Sequence, residues 1–116
     1  MRDPLSSGAG DKIFFDFDQA VIRDDARPIL DVQADWLNRN KSVNVQIAGD
    51  CDERGTEEYN IALGNRRAYA AESYLAAKGV APSRMTTISY GKDRPIAQGS
   101  TEEAWAQNRN AITSVR

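Results

Sequence analysis

The longest helical pattern in the chain carries an arginine on the face that should be buried. From residue 57 onward, Leu63, Ala70, Ala71, Tyr74 and Leu75 recur at the spacing of one apolar helix stripe. Arg67 falls four residues after Leu63 and four before Ala71, so it lies on that stripe, whereas Arg66 points away from it. A guanidinium removed from water without a partner is strongly unfavourable. Any fold of this chain must therefore pair Arg67 with a nearby Asp or lead it to a cavity. The first outcome is a structural ion pair. The second is a binding site in which arginine forks onto a ligand carboxylate.

The flanks define the surrounding elements. Thr56 is placed to cap this helix, Glu57 and Glu58 suit the positive end of its dipole, and Gly79 after Lys78 ends it. Ahead of it, Val43, Val45 and Ile47 alternate with Asn44 and Gln46, as in a strand with one buried face. Between strand and helix runs Gly49-Asp50-Cys51-Asp52-Glu53-Arg54-Gly55-Thr56, a loop dense in Asp and Arg. Such a loop, feeding a helix with a buried-face arginine, suits a ligand bearing both an ammonium and a carboxylate.

Elsewhere, residues 12–15 read as a strand and residues 24–40 as a helix, with Asp24 as N-cap and Pro28 tolerated near the first turn. A third strand covers residues 85–90 and closes at Gly91. Residues 92–100, with Pro95 and Gly99, form a loop, and Thr101 opens a short helix to about residue 107. Residues 111–115 supply a last strand. The order βαβαβαβ predicts an α/β chain, an α+β two-layer sandwich of helices on one sheet. Residues 1–11, rich in Ser and Gly, are expected to be a flexible linker without a hydrophobic signal segment, and residues 12–116 a single domain.

Composition removes several functions. A net charge of −2 argues against nucleic-acid or membrane-surface binding driven by bulk electrostatics. The chain has no histidine, which excludes His-based triads and nearly all zinc sites. Its only cysteine, Cys51, rules out an internal disulfide and a multi-cysteine metal site, and reads as a small buried filler. No cofactor or metal is expected. Trp36, Trp105 and Tyr90 read as packing residues.

Taken together, Phe15-Asp16-Phe17-Asp18, the loop 49–56, Glu58-Tyr59-Asn60, Leu63, Arg66-Arg67-Ala68, Ser89-Tyr90-Gly91-Lys92, Pro95 and Asn108-Arg109 resemble the OmpA-like peptidoglycan-binding domain. Within that family they most resemble the peptidoglycan-associated lipoproteins of the Tol–Pal system. The resemblance covers nearly all of residues 12–115. It implies an OmpA-C-terminal-like fold with helices on one face of a mixed four-stranded sheet. It also implies a non-catalytic periplasmic module that grips the diaminopimelate of the peptidoglycan stem peptide. Asp52 would then face the ligand's ammonium and Arg67 its carboxylate, with Phe17, Asp18, Arg54 and Leu63 as pocket walls. Asn60 and Thr56 would brace the loop. The implied partners are peptidoglycan, a TolB-like periplasmic propeller protein and other Tol proteins, with membrane attachment only through an N-terminal lipid anchor.

Two positions depart from the pattern. Asp50 stands where relatives carry a neutral or weakly basic side chain, and a third carboxylate there is expected to modulate the site by adding negative charge near Asp52. Asn110 replaces the second arginine of the usual Asn-Arg-Arg step, a second possible modulator. Two other readings remain open from the residues. Asp18 and Asp52 suggest a glycan hydrolase, although an adjacent arginine would keep both ionised, against the needs of a general acid. Alternatively, the charged loop is a structural network in a protein-interaction domain.

Overall fold

The computed structural model describes residues 3–6 and 10–116. Four strands, β1 (Lys12–Phe14), β2 (Val45–Asp50), β3 (Met85–Gly91) and β4 (Asn110–Val115), form one sheet in the order β1-β4-β2-β3. The sheet is mixed: β2 and β3 run parallel, while β4 is antiparallel to both β1 and β2. Three helices complete the fold, α1 (Arg27–Arg39), α2 (Glu57–Ala77) and α3 (Glu102–Asn108). The parallel β2–β3 pair requires a crossover, and α2 supplies it.

Strand alternation sorts the residues of β2. Val45 and Ile47 join Leu30, Leu37, Ala68, Ala71 and Leu75 in the core beneath α1 and α2. Gln46, Ala48 and Asp50 line a concavity on the opposite face, with Ile112 and Ser114 of β4 and Tyr90 of β3. Near the end of β2, two glycines bring helix and strand backbones together. A Cβ on Gly49 would overlap the carbonyl of Gly64 in α2, and one on Gly64 would overlap the Ser89 hydroxyl. This close approach places the next turn of α2, with Arg67, against the strand end.

The expected caps form at both later helices. Thr56 Oγ1 accepts from Tyr59 N at 3.1 Å, and Thr101 Oγ1 accepts from Ala104 N at 3.2 Å. Gly79 takes the left-handed φ of 101° that ends α2. The start of α1 differs from expectation. Asp24 makes no capping hydrogen bond; residues Asp24–Ala26 form a 3-10 turn, and Pro28 sits in the first turn of the α-helix behind it. Proline's fixed φ and missing N–H suit that position, so the tight turn precedes the helix proper.

Of the expected linker, residues 1, 2 and 7–9 lie outside the described residues. The described part is packed rather than free. Leu5 is buried in the core cluster, the Gly10 carbonyl accepts from Gln33 Nε2 at 2.8 Å, and the Asp11 carbonyl accepts from Thr113 N at 2.8 Å.

Candidate functional site

Beyond the end of β2, where the chain crosses to α2, lies a pocket of about 250 Å³. Phe17, Asp18, Asp52, Arg54, Leu63 and Arg67 all line it, so the fold brings together every side chain expected at the ligand. Asn60 also reaches the wall, but its amide is spent on bracing: Nδ2 donates to the Arg54 carbonyl at 2.8 Å. Thr56 contributes through its cap on α2.

Arg67 is 1 % exposed, yet no carboxylate pairs with it among the described residues. Neither Asp18 nor Asp52 supplies the structural ion pair. Three backbone carbonyls hold it instead: Nε donates to Gln19 O at 2.9 Å, Nη1 to Asp50 O at 2.9 Å and Nη2 to Asp16 O at 3.2 Å. Carbonyl dipoles orient the fork without neutralising it, and two of its five N–H groups have no protein acceptor among these bonds. Burial lowers its pKa, but a guanidinium keeps its proton throughout the ordinary pH range. The pocket wall thus presents a fixed positive charge.

Asp52, 5 % exposed, sits among cations. Arg54 grips it through two forked bonds, Nε to Oδ1 at 3.1 Å and Nη2 to Oδ2 at 2.8 Å, and Arg54 N donates to Oδ1 at 3.1 Å. Arg109 Nη1 approaches Oδ2 at 3.5 Å. Burial alone would raise this carboxyl, but the Arg54 hydrogen bonds and the Arg54 and Arg109 charges outweigh it and hold the pKa below its ordinary value. Asp52 is therefore firmly ionised. Asp18 is exposed and takes a left-handed φ of 57°, a conformation that Asp adopts more readily than most residues.

Arg54 is itself clamped. Its guanidinium lies 3.9 Å from the centre of the Phe17 ring and 3.9 Å from that of Trp105, a cation between two aromatic faces. Trp105 is thus more than packing, because it fixes the partner of Asp52. Trp36 does pack in the core. Cys51 is buried, donates from Sγ to Asn60 O at 3.2 Å, and has a thiol pushed up to about 11 by burial. That environment disfavours thiolate chemistry.

Asp50 corrects an expectation. Its side chain lies on the opposite face of the sheet, next to Tyr90 and Arg94, and does not line the pocket. Its carbonyl holds Arg67, and its carboxyl feels the Arg67 charge from the far face of the sheet. The alternation along β2 explains this: Gly49 turns toward α2, so Asp50 must turn away. Asn110, fully buried, stands directly opposite Asp50 in the β2–β4 register. Two further contributors lie outside the expected set. Tyr59 lines the pocket four residues before Leu63, a helical spacing visible in the sequence. Arg109, part of the Asn108-Arg109 step of the family pattern but not of the expected pocket, is buried and bridges Asp52, the Phe15 carbonyl and Glu102.

Comparison with known proteins agrees with this architecture. The OmpA family model matches residues 14–109. The chain is 54 % identical over 106 residues to the peptidoglycan-associated lipoprotein of Mesorhizobium japonicum, covering 91 % of this chain and 63 % of that protein. It is 52 % identical over 104 residues to that of Brucella melitensis, covering 90 % and 62 %. It thus spans a little under two thirds of the length of these relatives. The crystal structure of the peptidoglycan-associated lipoprotein from Burkholderia pseudomallei superposes with a TM-score of 0.92 at 38 % identity, covering 98 % of this chain and 100 % of that one. The cell wall anchor of the type VI secretion system from Pseudomonas aeruginosa matches with a TM-score of 0.73 at 29 % identity, covering 90 % and 78 %. With the family model matched over most of its length, the chain belongs to the OmpA family.

Proposed function

We propose that the pocket binds peptidoglycan non-covalently, through the diaminopimelate of its stem peptide, and that the chain thereby tethers the outer membrane to the cell wall. The observation that carries this reading is Arg67: a buried guanidinium with no counter-ion among the described residues, aimed by three carbonyls into a pocket. A ligand carboxylate completes it with charge-assisted hydrogen bonds, each worth roughly 1.5–3 kcal/mol. The ligand's ammonium lies toward Asp52 and Asp18, while Phe17, Arg54 and Leu63 close the walls. Because Arg54 already holds Asp52, the ammonium shares that carboxylate, and Arg67 supplies most of the selectivity. The names of the lipoprotein relatives and of the wall-anchor structure support the same ligand class. In the whole protein, an N-terminal lipid anchor would attach this periplasmic module to the outer membrane.

The electrostatics weigh against glycan hydrolysis. A general acid needs a raised pKa, and Asp52 has a lowered one. A protein partner of the TolB type fits the same edge, because Phe17 and Tyr59 are exposed apolar groups at the pocket itself. Wall and protein ligands are then expected to compete.

Titration calorimetry with a diaminopimelate-containing muropeptide, beside its lysine-containing counterpart, tests the reading. Wild type binds the first and loses affinity for the second, which lacks the extra carboxylate. Arg67→Lys keeps a charge but loses the fork, and binding falls at least tenfold, while Arg66→Ala binds normally. Equal binding by wild type and Arg67→Lys would overturn the assignment.

A further inference from the structure

The two departures from the family pattern meet on the far side of the sheet. Asp50 closes β2, Asn110 opens β4, and they are direct partners in the antiparallel register. Side chains so opposed share a face, with Cβ atoms about 4.5–5.5 Å apart. Both are buried, Asp50 at 4 % exposure and Asn110 at 0 %.

Their hydrogen-bonding does not close as an ionised carboxylate beside an amide. Asn110 Nδ2 is spent on the Gln107 carbonyl at 2.9 Å. Asn110 Oδ1 and Asp50 Oδ1 are both buried without a partner. Both atoms are acceptors, and a carboxylate offers no donor. Two desolvated acceptors on directly paired residues each forfeit a hydrogen bond, and any close approach of the two adds repulsion.

Nearby cations do not resolve the conflict. No ion pair among the described residues includes Asp50. Arg94, from the loop after β3, lies over the Tyr90 ring at 4.0 Å, and Asp93 beside it carries the wrong charge. Arg67, from α2, turns to backbone carbonyls, including that of Asp50. From β1, the residue opposite Asn110 is Phe14, which has no charge to offer.

We propose that, below neutral pH, Asp50 is a neutral carboxylic acid in this fold and donates its proton to Asn110 Oδ1, so that one shared proton locks the end of β2 to the start of β4. A single proton turns two opposed acceptors into a donor and an acceptor and satisfies both. Burial pushes the Asp50 carboxyl up to about 7, against the charges of Arg94 and Arg67, which pull it down. The folded chain therefore holds this proton more tightly than the unfolded chain, whose carboxyl titrates near 3.8. Stability from this group is complete below the unfolded value, falls as pH rises toward about 7, and is level above it. The lock needs no ligand in the pocket, although it sits at the residue whose carbonyl orients Arg67.

Carbon-13 NMR of the Asp50 carboxyl through a pH titration of the full chain tests the proposal directly. A midpoint well above the ordinary Asp value is expected in wild type, and Asn110→Ala, which removes the acceptor, lowers it by roughly one pH unit or more. In parallel, Asp50→Asn supplies a permanent N–H donor of the same shape. Its unfolding midpoint in urea stays level between pH 4 and 7, where that of wild type falls. An ordinary Asp50 midpoint in wild type would overturn the proposal, as would an unmoved midpoint in Asn110→Ala. Should Asn110→Ala fail to fold, the same pH slope in Asp50→Asn and wild type is the overturning result.

Discussion

Asp50 and Asp52 stand two residues apart, are 4 % and 5 % exposed, and have pKa values displaced in opposite directions. Burial penalises the charge of both. For Asp52 the penalty is overcome by a forked arginine, a backbone N–H and a second guanidinium. For Asp50 it is not, because the neighbouring cations engage a tyrosine ring and backbone carbonyls instead. Depth therefore decides neither ionisation state. The donors on each face of the strand end decide both: Asp50 is the last residue of β2 and faces away from α2, whereas Asp52 lies beyond the strand, in the loop that leads to α2.

The sharpest way to break this comparison is Asp52→Asn. It leaves Arg54 and Arg109 beside a neutral amide, and breaking a buried pair by removing one partner costs about 3–5 kcal/mol. Urea unfolding at pH 7 is expected to show a loss of that order. The pH dependence carries a sign. Asp52's contribution is present above its unfolded pKa of 3.8 and is lost as pH falls through its lower folded value. Wild type and variant should therefore converge in acid. A constant difference across pH would mean that packing, rather than charge, holds Asp52.

Asp50→Asn is expected to move stability the other way. At pH 8 it removes a buried charge, and a gain of about 1–3 kcal/mol follows from satisfying the orphaned acceptors. At pH 4 the gain vanishes. If both Asn variants lose stability at pH 8, the two carboxylates are alike and the contrast fails.

How much of this was legible in the sequence follows from the range of the forces involved. The element order, both later caps and the pocket members Arg67, Asp52 and Leu63 rest on local spacing or on a family pattern, and the fold reproduces them. The start of α1 was misread because a 3-10 turn and an α-helix place apolar residues alike over one turn. Leu5 was read as linker because its contacts come from residues far along the chain. Asp50 was misplaced for a different reason. Closeness in sequence to Asp52 suggests shared surroundings, but β2 ends at Asp50, and the chain leaves the sheet before Asp52 turns into the pocket. Arg109 lies more than fifty residues from Asp52, so no local pattern connects them.

The smallest expected effect concerns the clamp on Arg54, which is what separates the partnered carboxylate from the lone one. Trp105→Ala removes one of its two flanking rings. Cation–π contacts at partly exposed sites are worth about 0.5–1 kcal/mol, and the Trp105 contribution to stability through Arg54 should fall in that range. A double-mutant cycle of Trp105→Ala with Arg54→Ala isolates it, since packing lost from Trp105 alone cancels. The Asp52 carboxyl reports the same event from its own side. With Arg54 freed to wander, its pKa should rise toward the ordinary value while Asp50's stays where it is. An unmoved Asp52 would show that the Arg54 fork stands without the Trp105 wall, held by Phe17 and by Asp52 itself. The contrast between the two carboxylates would then rest on the Arg54 hydrogen bonds and the Arg54 and Arg109 charges, with no part played by Trp105.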